Sequence, residues 1–534
     1  MQRHITIFTN NKVCDKYQSL NGSTAKRFLF GMPQIRVTCL EPSITGRDPL
    51  MHGADTAIDI QTNALRSFQS QGLSRHARGG FEHEEKAPLH ESFHELLQID
   101  AMAAQLYKTA SGRLFHAGAI AIVMVGLPAR GKTHVSQSLC RYLRWLGVST
   151  KVFSVGNYRR ERMGSIPNEM FDPNNTEAYS PRLRIADECL DDMIDWLEHQ
   201  GGQVGIYDGS NGTEERRREL YEKLERVGVH TFFIESICDK PEIILANIKS
   251  VKVSSPDYRG WDPEEVVRDY KNRIEQHRVN YETIADTRLP FVKLMNVGEK
   301  LIVNHVQGYL QSRIVYYLMN LHNRPRTIYF ALAGKSLDEA SYKKDAELSP
   351  EGVKYAERLK NFVIFHRAQK DPSLATSPDQ KRSLSVWSSM QKKGRQTANA
   401  FQGEHVNIRH YSVLNQLNPG VVDGVSPEHI VQKYPDEVER AKSDPYRHRY
   451  PRAESYHDLA VRLEAIIMEL EREKNDVLII ADETVLRCLY AYLFNQPENE
   501  IPSISIPRET LIVITPAAYG CEETRLPIVH PVQK

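Results

Sequence analysis

The segment GLPARGKT at residues 126–133 is the feature that most constrains the fold of this chain. It fits the pattern G-x-x-x-x-G-K-[ST] and follows AIAIVMV, an apolar run typical of a buried strand. After it, Val135, Leu139 and Leu143 recur at helical spacing. The two glycines let successive backbone N–H groups face one anion, and the start of the helix adds partial positive charge. The sequence therefore predicts a strand, a phosphate-binding loop and a helix; a glycine turn that binds no ligand is the weaker alternative.

Alternating strand and helix patterns follow this loop. KVFSV, QVGIYD and HTFFIES predict further buried strands, which indicates a parallel sheet with crossover helices. A terminal helix, GEKLIVNHVQGYLQSRIVYYLMNLH, precedes Pro325. A second α/β unit begins at RTIYFALAG, and its later strand VLII follows the predicted helix ESYHDLAVRLEAIIMELERE. We therefore predict a P-loop NTPase-type α/β domain at residues 116–323 and a second α/β domain at residues 324–518.

The two ends of the chain carry weaker patterns. Residues 1–115 contain the strand-like pieces ITIFT and IRVTCL and a stretch at 69–94 rich in glycine, serine, histidine and charge. This composition predicts a partly disordered, regulatory extension, because it buries too little apolar surface to offset the entropy of ordering. Residues 519–534 are predicted to form a loose tail.

The overall composition argues against several classes of protein. The 69 Lys and Arg balance 68 Asp and Glu, so a strongly basic nucleic-acid binder is not expected. No apolar run approaches the roughly 20 residues that a membrane helix needs, and the N-terminus lacks a signal-peptide core. The seven cysteines include no CxxC pair, which argues against a disulfide framework and a cysteine zinc site. We expect a cytoplasmic protein that binds neither membranes nor nucleic acids.

Asp208 ends the predicted strand in QVGIYD, at the sheet edge where open α/β folds bind ligands. Its carboxylate would hold Mg²⁺ through water or accept the proton of an attacking hydroxyl, and the sequence leaves both roles open. A plain turn residue is the alternative, although Thr213 is the better cap for the following helix. Lys132 would reach the β and γ phosphates of a nucleotide, and the Thr133 hydroxyl would bind Mg²⁺. The set predicts phosphoryl transfer from a nucleoside triphosphate.

Arginines recur after the predicted strand ends, in VGNYRRE, SPRLR, GTEERRR and KNRIEQH. Because a guanidinium fork binds phosphate bidentately, several converging forks indicate a phosphorylated acceptor. For any single arginine a solvated helix face is an equal alternative. For Arg217 and Arg218 the solvated face is the favoured interpretation.

These motifs resemble those of the 6-phosphofructo-2-kinase/fructose-2,6-bisphosphatase family. The resemblance covers about residues 117–518 and includes GLPARGKT, VGNYRRE, YDGSN, FFIESICD, ANIKSVKVSSPDY and RIVYYLMN. It implies that the C2 hydroxyl of fructose 6-phosphate attacks the γ-phosphate of Mg²⁺-bound ATP to give fructose 2,6-bisphosphate, a regulator of glycolysis. It also implies a histidine phosphatase (phosphoglycerate mutase-like) fold for the second domain and a homodimer joined through the kinase domains.

The same resemblance assigns roles to individual residues. ATP would be bound by Gly126, Leu127, Pro128, Ala129, Arg130, Gly131, Lys132, Thr133, His134, Asn247, Ile248, Lys249, Ser250, Val251 and Lys252. Fructose 6-phosphate would be bound by Arg160, Arg182, Ser210, Arg216, Lys252, Arg273 and His277. The catalytic group would comprise Lys132, Asp208, Cys238 and Lys252, with Mg²⁺ held by Thr133 and Asp208. For Cys238 a buried structural thiol is the alternative.

Two of these positions depart from the family pattern. Ser210 stands in place of the usual threonine and keeps its hydroxyl, whereas His277 stands in place of a tyrosine that contacts the sugar. A histidine changes the reach of the ring and is able to take up a proton. The affinity for the sugar phosphate is therefore the property expected to change.

The second domain lacks the residues on which histidine phosphatases depend. Where the family has R-H-G-E, the segment TIYFALAGKS has Leu332, Ala333, Gly334 and Lys335. The other replaced positions are Lys393 for the second phosphate-binding arginine, Gln416 for the acid/base glutamate and Asp482 for the second histidine. Alanine is not a nucleophile, glutamine transfers no proton and aspartate repels phosphate. We therefore predict no bisphosphatase activity; Arg395 would restore an anchor only if the register shifted.

Two alternative functions stay open at this point. One is a bifunctional enzyme that uses substitute residues, and the other is a pseudoenzyme that binds nucleotide or sugar phosphate to regulate a partner. A further question concerns Ser385, which lies three residues after Arg382 and would suit a basophilic kinase. A plain polar loop is the favoured interpretation of that segment.

Overall fold

The computed structural model describes residues 4–8, 36–39, 118–164, 176–249, 258, 261–296, 298–322, 324–337, 345–370, 383–517 and 520–528. These residues form two β-sheets flanked by helices. None of the helices in these ranges combines the length and the apolar composition of a membrane span.

The first sheet holds the phosphate loop. Its strands are β1 (His4–Phe8), β2 (Arg36–Cys39), β3 (Ile120–Val125), β4 (Thr150–Ser154), β5 (Val204–Asp208), β6 (His230–Ile237), β7 (Phe291–Met295) and β8 (Lys300–Asn304). They run in the order β2-β1-β8-β7-β6-β3-β5-β4. All neighbouring strands are parallel except β7 and β8, which are antiparallel.

Strand β3 is central because it is apolar at every position. Ile122 and Met124 enter the hydrophobic cluster on one face of the sheet, whereas Ala121 and Val123 enter the cluster on the other. Successive side chains of a strand point to opposite faces, so a strand without polar residues is buried on both. The phosphate loop therefore starts from a rigid, fully buried support.

The helices of the first unit cover both faces of this sheet. They are α1 (Lys132–Trp145), α2 (Val155–Met163), α3 (Thr176–His199), α4 (Glu214–Arg226), α5 (Pro241–Asn247), α6 (Pro263–Arg278) and α7 (Tyr309–Asn320). Helix α1 begins directly after the second glycine of the loop, with Gly131 as its N-cap. Helix α4 is capped by Thr213, whose side chain accepts from the backbone N–H of Arg216 as its sequence position predicts.

The second sheet has six strands. They are β9 (Ile328–Leu332), β10 (Leu384–Ser389), β11 (Val406–Tyr411), β12 (Asp476–Ala481), β13 (Thr510–Ala517) and β14 (Gly520–Pro527), in the order β11-β10-β12-β9-β13-β14. The first four strands of this order are parallel, and β13 and β14 are antiparallel. Around it lie α8 (Pro350–Lys370), α9 (Lys392–Asn399), α10 (Pro427–Lys433), α11 (Pro435–Ser443), α12 (Tyr456–Arg462), α13 (Glu464–Arg472) and α14 (Glu483–Phe494).

The predicted helix over residues 298–322 is wrong in its first half. Residues Lys300–Asn304 form β8, and α7 begins only after Gly308. In β8, Leu301 and Val303 enter one hydrophobic cluster while Ile302 packs against the other. A short run that is apolar at every position satisfies helical and strand periodicity alike, and only its pairing with β7 decides the outcome.

The structure corrects two further expectations. The predicted helix over residues 454–473 is divided into α12 and α13 at Leu463. The predicted tail is wrong for Gly520–Pro527, because β14 closes the sheet edge beside β13 and packs Leu526 against a core cluster. The strand-like pieces of the extension contain β1 and β2, and the rest of that extension lies outside the described residues. The expected α/β class with two parallel-rich sheets is confirmed.

Candidate active site

The phosphate loop has a backbone that ordinary residues rarely adopt. Gly126 and Gly131 have φ values of 141° and 86°, and Ala129 also has a positive φ of 59°. A Cβ atom on Gly126 would lie 2.5 Å from the carbonyl oxygen of Ser236, whereas one on Gly131 would meet nothing within 4 Å. The first glycine is therefore required by close approach as well as by conformation, and the second by conformation alone.

Residues at or after neighbouring strand ends and at the end of α5 hold the loop in this shape. The Ser236 hydroxyl donates to the carbonyl of Arg130 at 2.6 Å, and the Asn247 amide donates to the carbonyl of Ala129 at 3.0 Å. The backbone N–H of Gly126 donates to the carbonyl of Ser210 at 3.0 Å. Each contact comes from a different element, so the loop is fixed by the carboxyl edge of the whole sheet rather than by its own sequence.

Lys132, Thr133 and Asp208 meet at the start of α1. The Lys132 ammonium donates to the carbonyls of Gly126 and Leu127 at 2.8 and 2.9 Å and so lies across the mouth of the loop. The Thr133 hydroxyl donates to Asp208 Oδ2 at 3.0 Å, and Asp208 is only 6% exposed. This oxygen pair suits Mg²⁺, which prefers one or two protein oxygens together with phosphate and water. Within the described ranges no cluster of three His, Cys, Asp or Glu side chains offers an all-protein metal site.

A cavity of about 720 Å³ opens from the phosphate loop. It brings together almost all of the side chains predicted to bind fructose 6-phosphate, although α2, α3, the loop after β5, α4 and α6 supply them. These residues are Arg160, Arg182, Ser210, Arg216, Arg273 and His277. Four arginines facing one cavity that also contains Lys132 make it strongly attractive to anions.

The arginines are held by their surroundings. Arg216 donates to Asp187 Oδ1 at 2.7 Å and to Glu219 Oε2 at 3.2 Å. The guanidinium of Arg273 lies 5.6 Å from the ring centroid of Tyr270. Arg160 donates to the side chain of Asn157. Such contacts reduce the entropy that each fork loses when it binds a phosphate.

His277 lies among these cations. Burial, Arg273, Arg182 and Lys132 together lower the pKa of His277 to about 3. The ring is therefore neutral near pH 7, with one donor and one acceptor nitrogen. A phosphate dianion beside it would raise this pKa again, since an opposite charge favours the protonated form.

Three of the predicted residues that the structure describes do not line the cavity. Cys238 is 1% exposed, and burial raises the pKa of its thiol, so it remains uncharged. Ile248 is fully buried in a core cluster. Lys249 lines a separate surface groove between α5 and α6. Ser250, Val251 and Lys252 lie outside the described residues.

His134 lies on the side of the cavity that borders the second domain. Its side chain lines the cavity together with His322, and its Nε2 atom is buried without a hydrogen-bond partner among the described residues. Burial lowers the pKa of His134, so its ring is neutral there.

The structure adds residues that sequence patterns missed. Tyr281 lines the cavity, and its hydroxyl donates to Oε1 of the fully buried Glu235 at 2.5 Å. Arg217, expected on a solvated face, is 1% exposed and donates to the carbonyls of Asn211, Gly212 and Glu282. Its place in the run RRR carries no local signal, because the carbonyls that it binds come together only in the fold.

The second domain contains a different arrangement at its altered site. The Lys393 ammonium lies 2.5 Å from Asp482 Oδ1 and 3.0 Å from Gln416 Oε1, so three of the altered positions bind one another. Leu332 and Ala333 are 7% and 6% exposed and belong to the hydrophobic clusters of the two sheet faces. The centre of this altered site is a partly exposed ion pair.

Three other candidate residues of that domain take no part in this ion pair. Arg395 lies two residues after Lys393 on α9 and is exposed. Lys335 pairs with Glu351 at 3.5 Å on the surface. Ser385 is fully buried in β10 and donates to Glu473 Oε2 at 2.8 Å, so both earlier interpretations of Ser385 are wrong. Its periodicity in LSVWSS is that of a buried strand.

Comparison with known families gives two matches. Residues 107–325 match the family described as 6-phosphofructo-2-kinase. Residues 338–528 match branch 1 of the histidine phosphatase superfamily, in a range that begins beyond residues 332–335.

Individual relatives span most of the chain. The 6-phosphofructo-2-kinase/fructose-2,6-bisphosphatase of Aquarana catesbeiana is 42% identical over 407 residues, which cover 75% of this chain and 83% of the relative. The corresponding protein of Caenorhabditis elegans is 40% identical over 415 residues, which cover 76% of this chain and 88% of the relative. Among solved structures, the alpha-ribazole phosphatase from Shigella flexneri is 15% identical, with a TM-score of 0.30, covering 39% of this chain and 100% of its own.

Proposed function

This chain belongs to the 6-phosphofructo-2-kinase/fructose-2,6-bisphosphatase family, and we propose that it phosphorylates the C2 hydroxyl of fructose 6-phosphate with ATP and does not hydrolyse the product. The observation that carries the proposal is the cavity in which the phosphate loop, Asp208 and four arginines from four helices converge. A kinase with an inactive phosphatase domain would only synthesise fructose 2,6-bisphosphate.

The nucleotide end of the cavity supplies electrostatic stabilisation. Lys132 would exchange its bonds to the loop carbonyls for the β and γ phosphates, where charge builds up during transfer. Thr133 and Asp208 would hold Mg²⁺, which neutralises phosphate charge when bound. Because phosphoryl transfer needs little covalent chemistry from the protein, positioned charges of this kind account for most of the acceleration.

The sugar end of the cavity orients the acceptor. Arg160, Arg182, Arg216 and Arg273 would bind the 6-phosphate group and leave the C2 hydroxyl facing the γ-phosphate. In the other role that the sequence leaves open, Asp208 would accept the proton of this hydroxyl instead of holding Mg²⁺. His277 would hydrogen-bond to the sugar from the same wall.

The loss of phosphatase activity is inferred from chemistry and charge together. Ala333 offers no nucleophile, and Leu332 offers no phosphate anchor. The remaining cation, Lys393, already has a carboxylate partner in Asp482, which a phosphate dianion would have to displace. Loss of one member of a catalytic group removes most of its rate, so the combined losses leave no route to hydrolysis.

The kinase proposal is tested with the purified full-length chain, Mg²⁺-ATP and fructose 6-phosphate. We expect fructose 2,6-bisphosphate from the wild type and a loss of ~100-fold or more in Lys132→Ala, because a charge at the transition state is removed. Lys151→Ala, at an exposed lysine of β4, is the matched control and should keep the wild-type rate. Absence of product from the wild type, with nucleotide still bound, would favour the pseudoenzyme alternative.

The phosphatase proposal is tested with fructose 2,6-bisphosphate as the only substrate. We expect no release of inorganic phosphate above a heat-treated control. A rate that exceeds this control and disappears in Lys393→Ala would establish the bifunctional alternative.

We further propose that the protein acts in the cytoplasm as a homodimer joined through its kinase domains. The support is its family and the composition of the sequence. Light scattering coupled to size exclusion would give twice the chain mass, and a monomer mass at micromolar concentration would contradict the dimer.

A further inference from the structure

One side of α1 belongs to the boundary between the two domains. His134, Arg141, Tyr142 and Trp145 lie at spacings of seven, eight and eleven residues, which places them on one side of a helix. Trp145 is part of a hydrophobic cluster of the second domain. The helix that carries the phosphate loop is therefore also packed against the domain that follows it.

Glu471 of α13 is the charged centre of this boundary. It is 5% exposed and accepts hydrogen bonds from Arg141 at 2.8 Å and from the Tyr492 hydroxyl at 2.6 Å, both at Oε1. Arg326 lies 3.8 Å from its other oxygen. Although burial alone would raise it, Arg141 and Arg326 lower the pKa of Glu471 to about 2, so the carboxylate is charged at every working pH.

Arg141 is fixed on two sides by the second domain. Its guanidinium lies 5.0 Å from the ring centroid of Tyr492 while it donates to Glu471. One turn of the helix away, Trp145 meets the same tyrosine edge to face at 5.6 Å. Because the guanidinium contacts a ring on one side and a carboxylate on the other, Arg141 has little rotational freedom.

Further contacts tie α1 and α7 to α13. The Tyr142 hydroxyl donates to Glu464 at 3.0 Å, and Arg313 of α7 pairs with the same carboxylate. The rings of Tyr142 and Tyr317 stack at 4.4 Å. The two helices nearest the boundary in the first domain are thus both fastened to α13.

The first turn of α1 lies near the linker between the two domains. His134, which follows Thr133, lines the same cavity as His322. The His322 ring donates to the carbonyl of Glu473 at 2.6 Å, so the linker beside this turn is bound to the end of α13.

This boundary is close to the nucleotide. Arg141 lies nine residues after Lys132, or about 13 Å along a rigid helix that rises 1.5 Å per residue. Arg141 and Glu471 also line the cavity that contains the phosphate loop. A shift of the last turns of α1 would move Lys132 and Thr133 by a comparable amount, because a helix transmits axial displacement.

We propose that Glu471 is a positioning residue for the nucleotide site: through Arg141 it fixes the helix that presents Lys132 and Thr133 to the phosphates. The phosphatase-like domain thus has a task in the kinase reaction that is independent of its own chemistry. This inference rests on the proposed kinase function for its meaning, but nucleotide affinity alone is sufficient to test it.

The test uses Glu471→Gln and Tyr492→Phe in the full-length chain. Tyr492→Phe removes one hydroxyl and keeps the ring, so it still tests the proposal if Glu471→Gln does not fold. Calorimetry would give the dissociation constant for Mg²⁺-ATP without sugar, and kinetics would give the KM values for both substrates. We expect Glu471→Gln to weaken ATP binding ~5-fold or more, and Tyr492→Phe to weaken it by a smaller factor. In both variants the KM for fructose 6-phosphate should stay within about twofold of the wild-type value.

Glu498→Gln is the matched control. Glu498 is 1% exposed in the same domain and pairs with Arg447, away from α1. This variant should lower the unfolding temperature and leave ATP affinity unchanged. Equal losses of ATP affinity in Glu471→Gln and Glu498→Gln, or wild-type affinity in Glu471→Gln, would overturn the proposal.

A double variant tests the route through Arg141. If Glu471 acts through that residue, Arg141→Gln should weaken ATP binding no further in the Glu471→Gln background. Additive losses would overturn this route. If the wild type binds ATP but forms no product, the kinase function fails while the effect of Glu471 on affinity still decides the inference.

Discussion

Acidification should destabilise the protein through His322, which occupies a site that accepts only the neutral ring. The backbone N–H of Arg324 donates to Nδ1 at 3.1 Å, and Nε2 lies 2.6 Å from the Glu473 carbonyl oxygen and 2.9 Å from Arg326 Nη1. Burial and the neighbouring Arg326 lower the pKa of His322 to about 3. A second proton on Nδ1 would break the bond from Arg324.

The magnitude follows from the two pKa values. The unfolded chain binds a proton at this histidine below about pH 6.5, whereas the folded protein does so only near pH 3. The stability from His322 is therefore complete above pH 6.5 and is lost as the pH falls. At pH 5 the difference of 1.5 pH units amounts to about 2 kcal/mol.

The assay is urea unfolding at pH 7.5 and pH 5.0, for the wild type and for His322→Asn. Asparagine keeps a side-chain carbonyl for the Arg324 N–H and does not titrate. We expect the wild type to lose about 2 kcal/mol more than the variant between these pH values. His199→Asn, at a largely exposed histidine, is the control and should follow the wild type. Equal pH dependence in the wild type and His322→Asn would refute the reasoning.

Two further predictions concern single positions. Gly131→Ala should cost about 1 to 2 kcal/mol of stability, because alanine is strained in the left-handed backbone of this position. Gly126→Ala should cost more and should abolish nucleotide binding, because its Cβ would lie 2.5 Å from the carbonyl oxygen of Ser236. Urea unfolding and ATP titration separate the two, and equal effects would contradict the distinction. Arg217→Ala should cost roughly 3 kcal/mol by leaving three carbonyls without their donor, against about 0.5 kcal/mol or less for the exposed Arg218→Ala. Similar unfolding midpoints for these two variants would show that the buried bonds contribute little.

The phosphate-loop end of the cavity was predictable because its signals are local. The loop, its strand and its helix are contiguous in residues 120–145, and β3 and β5 are apolar at almost every position, as buried parallel strands are. Asp208 follows directly from the end of such a strand. The α/β class needs no more than this alternation of strands and helices.

The rest depends on contacts between distant residues. Lys393 and Asp482 are 89 residues apart, and their pairing has no sequence signature. The strand β8 was mistaken for helix because its pairing with β7, rather than its composition, determines it. The burial of Arg217 and the connection of Glu471 to α1 likewise arise only when separate elements are assembled.

The pair of Lys393 and Asp482 bears on how this domain could change in evolution. A site that carries its own counter-ion has no net charge with which to attract a phosphate, and its lysine is held by the carboxylate that would repel one. If phosphatase activity is absent as proposed, Ala333→His alone would place a histidine beside a neutralised pocket and would not create hydrolysis. Hydrolysis would also require changes at Lys393 and Asp482, so the ion pair makes each single change ineffective.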